Sequence, residues 1–176
     1  PVLVLVLAAA GLLGSCVHIP TEKERQGAEA HYDLGINAQN AGDVRSALKE
    51  FEESLKLDPD FAEAHNAMAV LLHLSFDKKD EAEKHYKQAL EIRPAFSEAK
   101  VNLGNLYLDQ GRLDEAIVLY EQALNDMLYA TPYIAEANLG WAYFKKGNTT
   151  QAIEHLRASV NHNPQFCHAY KDRGLV

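Results

Sequence analysis

Cysteine is nearly absent from this chain of 176 residues, with only Cys16 and Cys167 present, so the fold cannot rest on a disulfide framework. Basic residues are also few. The 17 Lys and Arg face 25 Asp and Glu, the net charge is −8, and no basic block interrupts the chain. A nucleic-acid partner, which needs a cationic stripe to meet phosphates, is therefore not expected. Acidic runs such as Glu50-Phe51-Glu52-Glu53 read as solvated helix faces. The apolar run from Val2 to Leu13 is shorter than the roughly 18 to 20 residues of a membrane span. Catalytic signatures are missing too: there is no Gly-rich phosphate loop, no Gly-x-Ser-x-Gly elbow, no His-Glu-x-x-His and no Cys-x-x-Cys. His65 and His73 fall on one predicted helix, and His155, His162 and His168 lack the i, i+4 spacing of helical metal ligands. No enzyme activity, metal, cofactor or small-molecule substrate is expected, so function must lie in binding.

What is present is a repeated pattern. A Leu-Gly pair opens the same kind of helix at Leu34-Gly35, Leu103-Gly104 and Leu139-Gly140, with Met68-Ala69 as a weaker copy. About one helix later come a small residue, a large one and a second small one: Ala47, Phe51 and Ser54; Ala82, Tyr86 and Ala89; Ala116, Tyr120 and Ala123; Ala152, Leu156 and Ser159. Small residues let paired helices approach closely while the large ones fill the grooves. Gly42, Gly111 and Gly147 fall where a helix must stop and turn, a place that favours positive φ. Asp43 and Asn148 follow as N-caps, Asp60 with Glu63 suggests a capping box, and Thr131-Pro132 reads as N-cap then N1. Pro59 and Pro94 are 35 residues apart, and Leu103 and Leu139 are 36 apart. This period resembles that of the tetratricopeptide repeat family, over residues 28–176. The resemblance implies an all-α superhelix, an α-solenoid of antiparallel helix pairs, with four repeats and the start of a fifth.

Residues 1–15 resemble a lipoprotein signal peptide. Leu13-Gly14-Ser15-Cys16 is similar to the lipobox of bacterial lipoprotein precursors, which makes Cys16 the expected lipidated N-terminus and membrane anchor. Residues 16–27 then read as a short polar tether. The chain is expected to have lost its true start before Pro1 and to stop inside a fifth repeat at Val176. Cys167 is expected to pair with a cysteine beyond Val176; the other reading is a small buried packing residue.

In the repeat family the inward positions of each first helix line a concave groove. Carried over, these are Tyr32, Ile36 and Gln39; Asn66, Val70, His73 and Leu74; Val101, Asn105 and Leu108; and Ile134, Trp141 and Phe144. Family members that hold a C-terminal carboxylate use Lys, Arg and Asn at places that here carry Tyr32, Asn66, Val101 and Ala137. A carboxylate clamp is not expected. The apolar lining suits an extended segment, with Asn66 and Asn105 meeting its backbone.

A closer resemblance is to the pilotins of bacterial type IV pilus systems, the PilF, PilW and Tgl group. It runs through Glu22-Lys23-Glu24-Arg25, Ala62-Glu63-Ala64-His65-Asn66-Ala67, Phe96-Ser97-Glu98-Ala99-Lys100-Val101-Asn102-Leu103-Gly104 and the irregular joint from Ala123 to Pro132, where two residues are inserted. The resemblance implies an outer-membrane lipoprotein, lipid-anchored and facing the periplasm. Its partner would be a secretin subunit, or an apolar extended segment of one. Val17 after Cys16, where Asp would suggest inner-membrane retention, fits outer-membrane sorting. Two other readings stay open: an envelope scaffold recruiting cell-wall enzymes or proteases, and the repeat region of a truncated glycosyltransferase.

Overall fold

In a computed structural model, described over residues 19–166, the chain is all helical. Its α-helices there are α1 (Glu22–Asn40), α2 (Val44–Leu57), α3 (Ala62–Leu74), α4 (Lys79–Ile92), α5 (Ser97–Asp109), α6 (Leu113–Leu124), α7 (Pro132–Lys145) and α8 (Thr149–His162). A short 3-10 turn, Pro164–Phe166, follows. Helices pair in sequence, α1 with α2 through α7 with α8, and each pair stacks on the next. This is the tetratricopeptide repeat solenoid. Both cysteines, the signal segment and the start of the fifth repeat lie outside the described residues.

The small and large residues meet as their spacing requires. A Cβ placed on Gly35 would lie 2.4 Å from the Phe51 ring, and one on Gly104 would lie 2.6 Å from the Tyr120 ring. On Gly140 it would meet Leu156 at 2.9 Å. Phe51, Tyr86 and Tyr120 are completely or almost completely buried, each removal from water stabilising by about 1.5–3 kcal/mol. The second small residue of each pattern is completely or almost completely buried. Where it is serine it also bonds: Ser54 Oγ donates to the Ala28 carbonyl at 2.8 Å and Ser159 Oγ to the Tyr133 carbonyl at 2.7 Å.

Turns close each pair through a left-handed residue. Gly42, Gly111 and Gly147 have φ of 78°, 76° and 80°, and in the second unit Asp77 takes this role at 51°. Asp43 and Asn148 cap the following helices by accepting from the backbone N–H of Ser46 and Gln151. Thr131 is the N-cap of α7 with Pro132 behind it, although its side chain makes no capping bond.

Two expectations need correction. Asp60 and Glu63 form no capping box: the N-cap of α3 is Phe61, with no side-chain cap. Asp58 Oδ1 accepts from the Asp60 N–H instead, tightening the turn before the helix, and Glu63 accepts from Arg93. The segment taken as a tether is helical from Glu22, because Thr21 and Glu24 form the capping box there. Leu34 is not a core counterpart of Leu103 and Leu139. It is 53% exposed while they are buried, since no helix precedes α1 among the described residues to cover it.

The joint between α6 and α7 runs Asn125–Thr131, longer than the joints at 58–61 and 93–96. Asp126 organises it, accepting from the Leu128 N–H at 2.9 Å and from Ser97 Oγ at 2.7 Å. Tyr129 is buried and Met127 and Leu128 are fully outside.

The glycine contacts set a test. Alanine normally improves a helix over glycine by about 1 kcal/mol. Gly104→Ala is expected to reverse that sign: displacing a fully buried tyrosine ring costs about 1–3 kcal/mol. Thermal unfolding should show Tm lower by a few degrees, on the order of 2–4 °C per kcal/mol. An unchanged or higher Tm would contradict the close contact.

Candidate protein-binding groove

The odd-numbered helices form the inner layer. α3 touches α5 and α5 touches α7, whereas successive even-numbered helices make weaker contact or none, so the array curves toward the side of α3, α5 and α7. Residues on their free faces line a concave surface.

The inner layer is stitched by polar bonds at the repeat spacing. Asn102 Nδ2 donates to Asn66 Oδ1 at 3.1 Å, and Asn138 Nδ2 donates to Asn105 Oδ1 at 2.8 Å. His73 Nε2 lies 3.1 Å from Asp109 Oδ2. Asn105 Oδ1 also accepts from the buried Tyr120 hydroxyl at 2.8 Å. The carbonyl oxygens of Asn66 and Asn105 therefore hold neighbouring repeats together, and the expectation that these amides meet a partner backbone is corrected to that extent. Val101 and Leu108 are likewise corrected: both are buried in the core and offer a partner no surface.

Other expected residues reach the surface. Leu74 is 71% exposed and Phe144 51% exposed. Trp141 is half-buried and stacks on Phe144, with ring centroids 5.2 Å apart and planes 11° from parallel. Lys145 Nζ lies 5.5 Å from the Trp141 ring centroid. Tyr32, Ile36, Val70 and Ile134 are partly buried against the core.

Tyr32 and Asn66 also line a cleft of about 500 Å³ with Glu63, Arg93, Phe96 and Glu98. The Arg93 guanidinium lies 3.7 Å over the Phe96 ring and donates to Glu63 Oε1 at 2.7 Å. Burial, aided by the Glu63 and Asp33 carboxylates, holds the Tyr32 hydroxyl above its ordinary value. Glu63 and Glu98 were missed although they share one register position 35 residues apart. Phe96 repeats Phe61 at the same distance, a signal open to sequence reading; the reach of Arg93 to Glu63 is not.

Among the described residues no group of three or more His, Cys, Asp or Glu could hold a metal ion, and no helix is long and apolar enough to cross a membrane.

Comparison with known proteins agrees with this architecture. Tetratricopeptide repeat family models match residues 28–61, 76–128 and 137–166. The chain belongs to the tetratricopeptide repeat family. Within it, the chain is a homologue of PilF and PilW. The type IV pilus assembly protein PilF of Pseudomonas aeruginosa is 29% identical over 164 residues, covering 89% of this chain and 64% of PilF. A solved structure from a functional characterization of Pseudomonas aeruginosa PilF superposes with a TM-score of 0.76 at 25% identity, over 81% of this chain and 64% of that one. The chain thus spans just under two-thirds of PilF. The structure of PilW, described as a widely conserved type IV pilus biogenesis factor, superposes with a TM-score of 0.79 at 31% identity, over 84% of this chain and 67% of that one. The photosystem I assembly protein Ycf3 of Prochlorococcus marinus is 35% identical over 111 residues, but this covers only 57% of the chain and 63% of Ycf3.

The bonds to Asn105 give a direct prediction. Asn105→Ala removes the acceptor shared by the Tyr120 hydroxyl and the Asn138 amide, at a cost of about 1–3 kcal/mol. Chemical denaturation should show that loss in the absence of any partner. Wild-type stability would mean that the residue does not hold the repeats together.

Proposed function

We propose that the protein is an outer-membrane lipoprotein pilotin, anchored through lipid on Cys16 and facing the periplasm. Its inner surface binds secretin subunits through an apolar extended segment and promotes their assembly for type IV pilus biogenesis. Binding shields that segment from aggregation, and oligomerisation of the subunits releases it. No covalent step is involved.

The observation that carries this reading is the exposure of large apolar side chains on the inner helices: Leu74 on α3, and Phe144 with its stacked neighbour Trp141 on α7. Keeping such groups in water is unfavourable, and aromatic anchors of this kind supply most of the binding energy at protein interfaces. The homology to PilF and PilW supports the pilus context. The long joint before α7 is part of that likeness at the sequence level.

Replacing Trp141 and Phe144 together with alanine is the test. Hot-spot aromatics contribute about 2 kcal/mol or more, so secretin-subunit binding should weaken at least about 30-fold while circular dichroism stays helical. Secretin rings in the membrane fraction should fall accordingly. Normal ring assembly with the double variant would overturn the proposal.

A further inference from the structure

One register position is tied across the helix pair by histidine in three of the four units. Between α1 and α2, His31 Nδ1 lies 2.7 Å from Glu50 Oε2; between α7 and α8, His155 Nδ1 lies 2.8 Å from Glu136 Oε2. At the corresponding place between α3 and α4 both partners are imidazoles. His65 Nδ1 and His85 Nδ1 are 2.9 Å apart. Their ring centroids are 5.1 Å apart, close to the most that rings joined by so short a contact can reach, so the two nitrogens point head-on at each other. Two imidazole nitrogens holding one tetrahedral metal ion would lie about 3.3 Å apart and aim at the ion, not at each other. The geometry is that of a shared proton.

The proton positions follow from the surroundings. His65 Nε2 lies 2.9 Å from the Pro59 carbonyl, which can only accept, so Nε2 carries hydrogen. Neutral His65 then accepts at Nδ1, and His85 Nδ1 donates. A first added proton goes to His85 Nε2 and leaves the bond intact. A second has only His65 Nδ1, where it sets N–H against N–H and charge against charge.

We propose that the His65–His85 pair is a proton-operated latch: it clamps α3 to α4 at neutral pH and releases the second helix pair in acid, while the first and fourth pairs stay closed. In those two units a protonated imidazole would face a carboxylate and form an ion pair. α3 carries Asn66, Val70 and Leu74, so release of the latch reaches the groove wall. The effect on binding rests on the groove reading above; the latch itself does not.

The electrostatic surroundings have the required sign. Burial pushes both imidazoles below their ordinary value, and on His85 the His65 ring adds to this. The Pro59 carbonyl and Asp60, in the turn before α3, oppose it at His65, and Glu81 on α4 opposes it at His85. No charged group of α2 or α5, the helices packed on either side, acts on either ring among the described residues. Free histidine titrates near about 6.5. Below that the unfolded segment takes up protons that the folded pair resists, so the clamp is at full strength above about pH 6.5 and is lost progressively below it.

The test is hydrogen exchange, followed by mass spectrometry on the whole chain at pH 7.5 and 5.5 and corrected for intrinsic rates. Protection in α3 and α4 should fall about tenfold at the lower pH, with α1, α2, α7 and α8 little changed. His85→Gln should abolish the difference, because an amide can donate to neutral His65 or, turned over, accept from the protonated ring. His85→Glu recreates the pairing of the first and fourth units and should make α3 and α4 tighter in acid. Equal protection of α3 and α4 at the two pH values in the wild type would overturn the latch. So would an undiminished acid loss in both variants.

Discussion

Close approach of two helices around one large side chain is the constraint on which the rest of the structure depends. In three units a glycine on the first helix leaves room for Phe51, Tyr120 or Leu156 from the second, and in the other Ala69 and Tyr86 occupy the corresponding buried places. The fit sets the separation within each pair. The pairs then stack one on the next along the chain. The left-handed turn residues serve the same end, reversing the chain in the few residues that a tight pair allows.

The concave layer divides its inward side chains between two tasks. Asn66, Asn105 and His73 face neighbouring repeats and bind them in register. Leu74 and Phe144 keep more than half of their area in water, and Trp141 stacks on Phe144. An interior amide bond lost from the first set weakens the array, whereas truncating the second removes surface that water already reaches. In the proposed function, stability and binding thus fall to different residues of the same helices.

Much of this was legible in the sequence because the signals were local and repeated. Gly42, Gly111 and Gly147 announce turns, and a small-then-large pattern recurring near every 35 residues has few meanings other than paired helices. Position within the array was harder to read. Leu34 occupies the same register as Leu103 and Leu139, yet burial at that register needs a preceding repeat. Val101 and Leu108 share inward positions with Tyr32 and Phe144, but the stacking of neighbours decides which of them is covered. His65 and His73 look like companions on one helix. Instead the first meets His85 and the second Asp109, contacts that depend on how separate helices dock.

The central claim is that the inner face, not the outer one, receives a secretin segment. The most direct measurement is site-specific photo-crosslinking in cells, with the reactive side chain placed at Phe144 on the inner helix α7 or at Val118 on α6 of the outer layer. Both positions are about half exposed, so either can react. The account predicts a crosslink to the secretin subunit from position 144 and none from position 118. Capture from 118 alone, or equally from both, would contradict it.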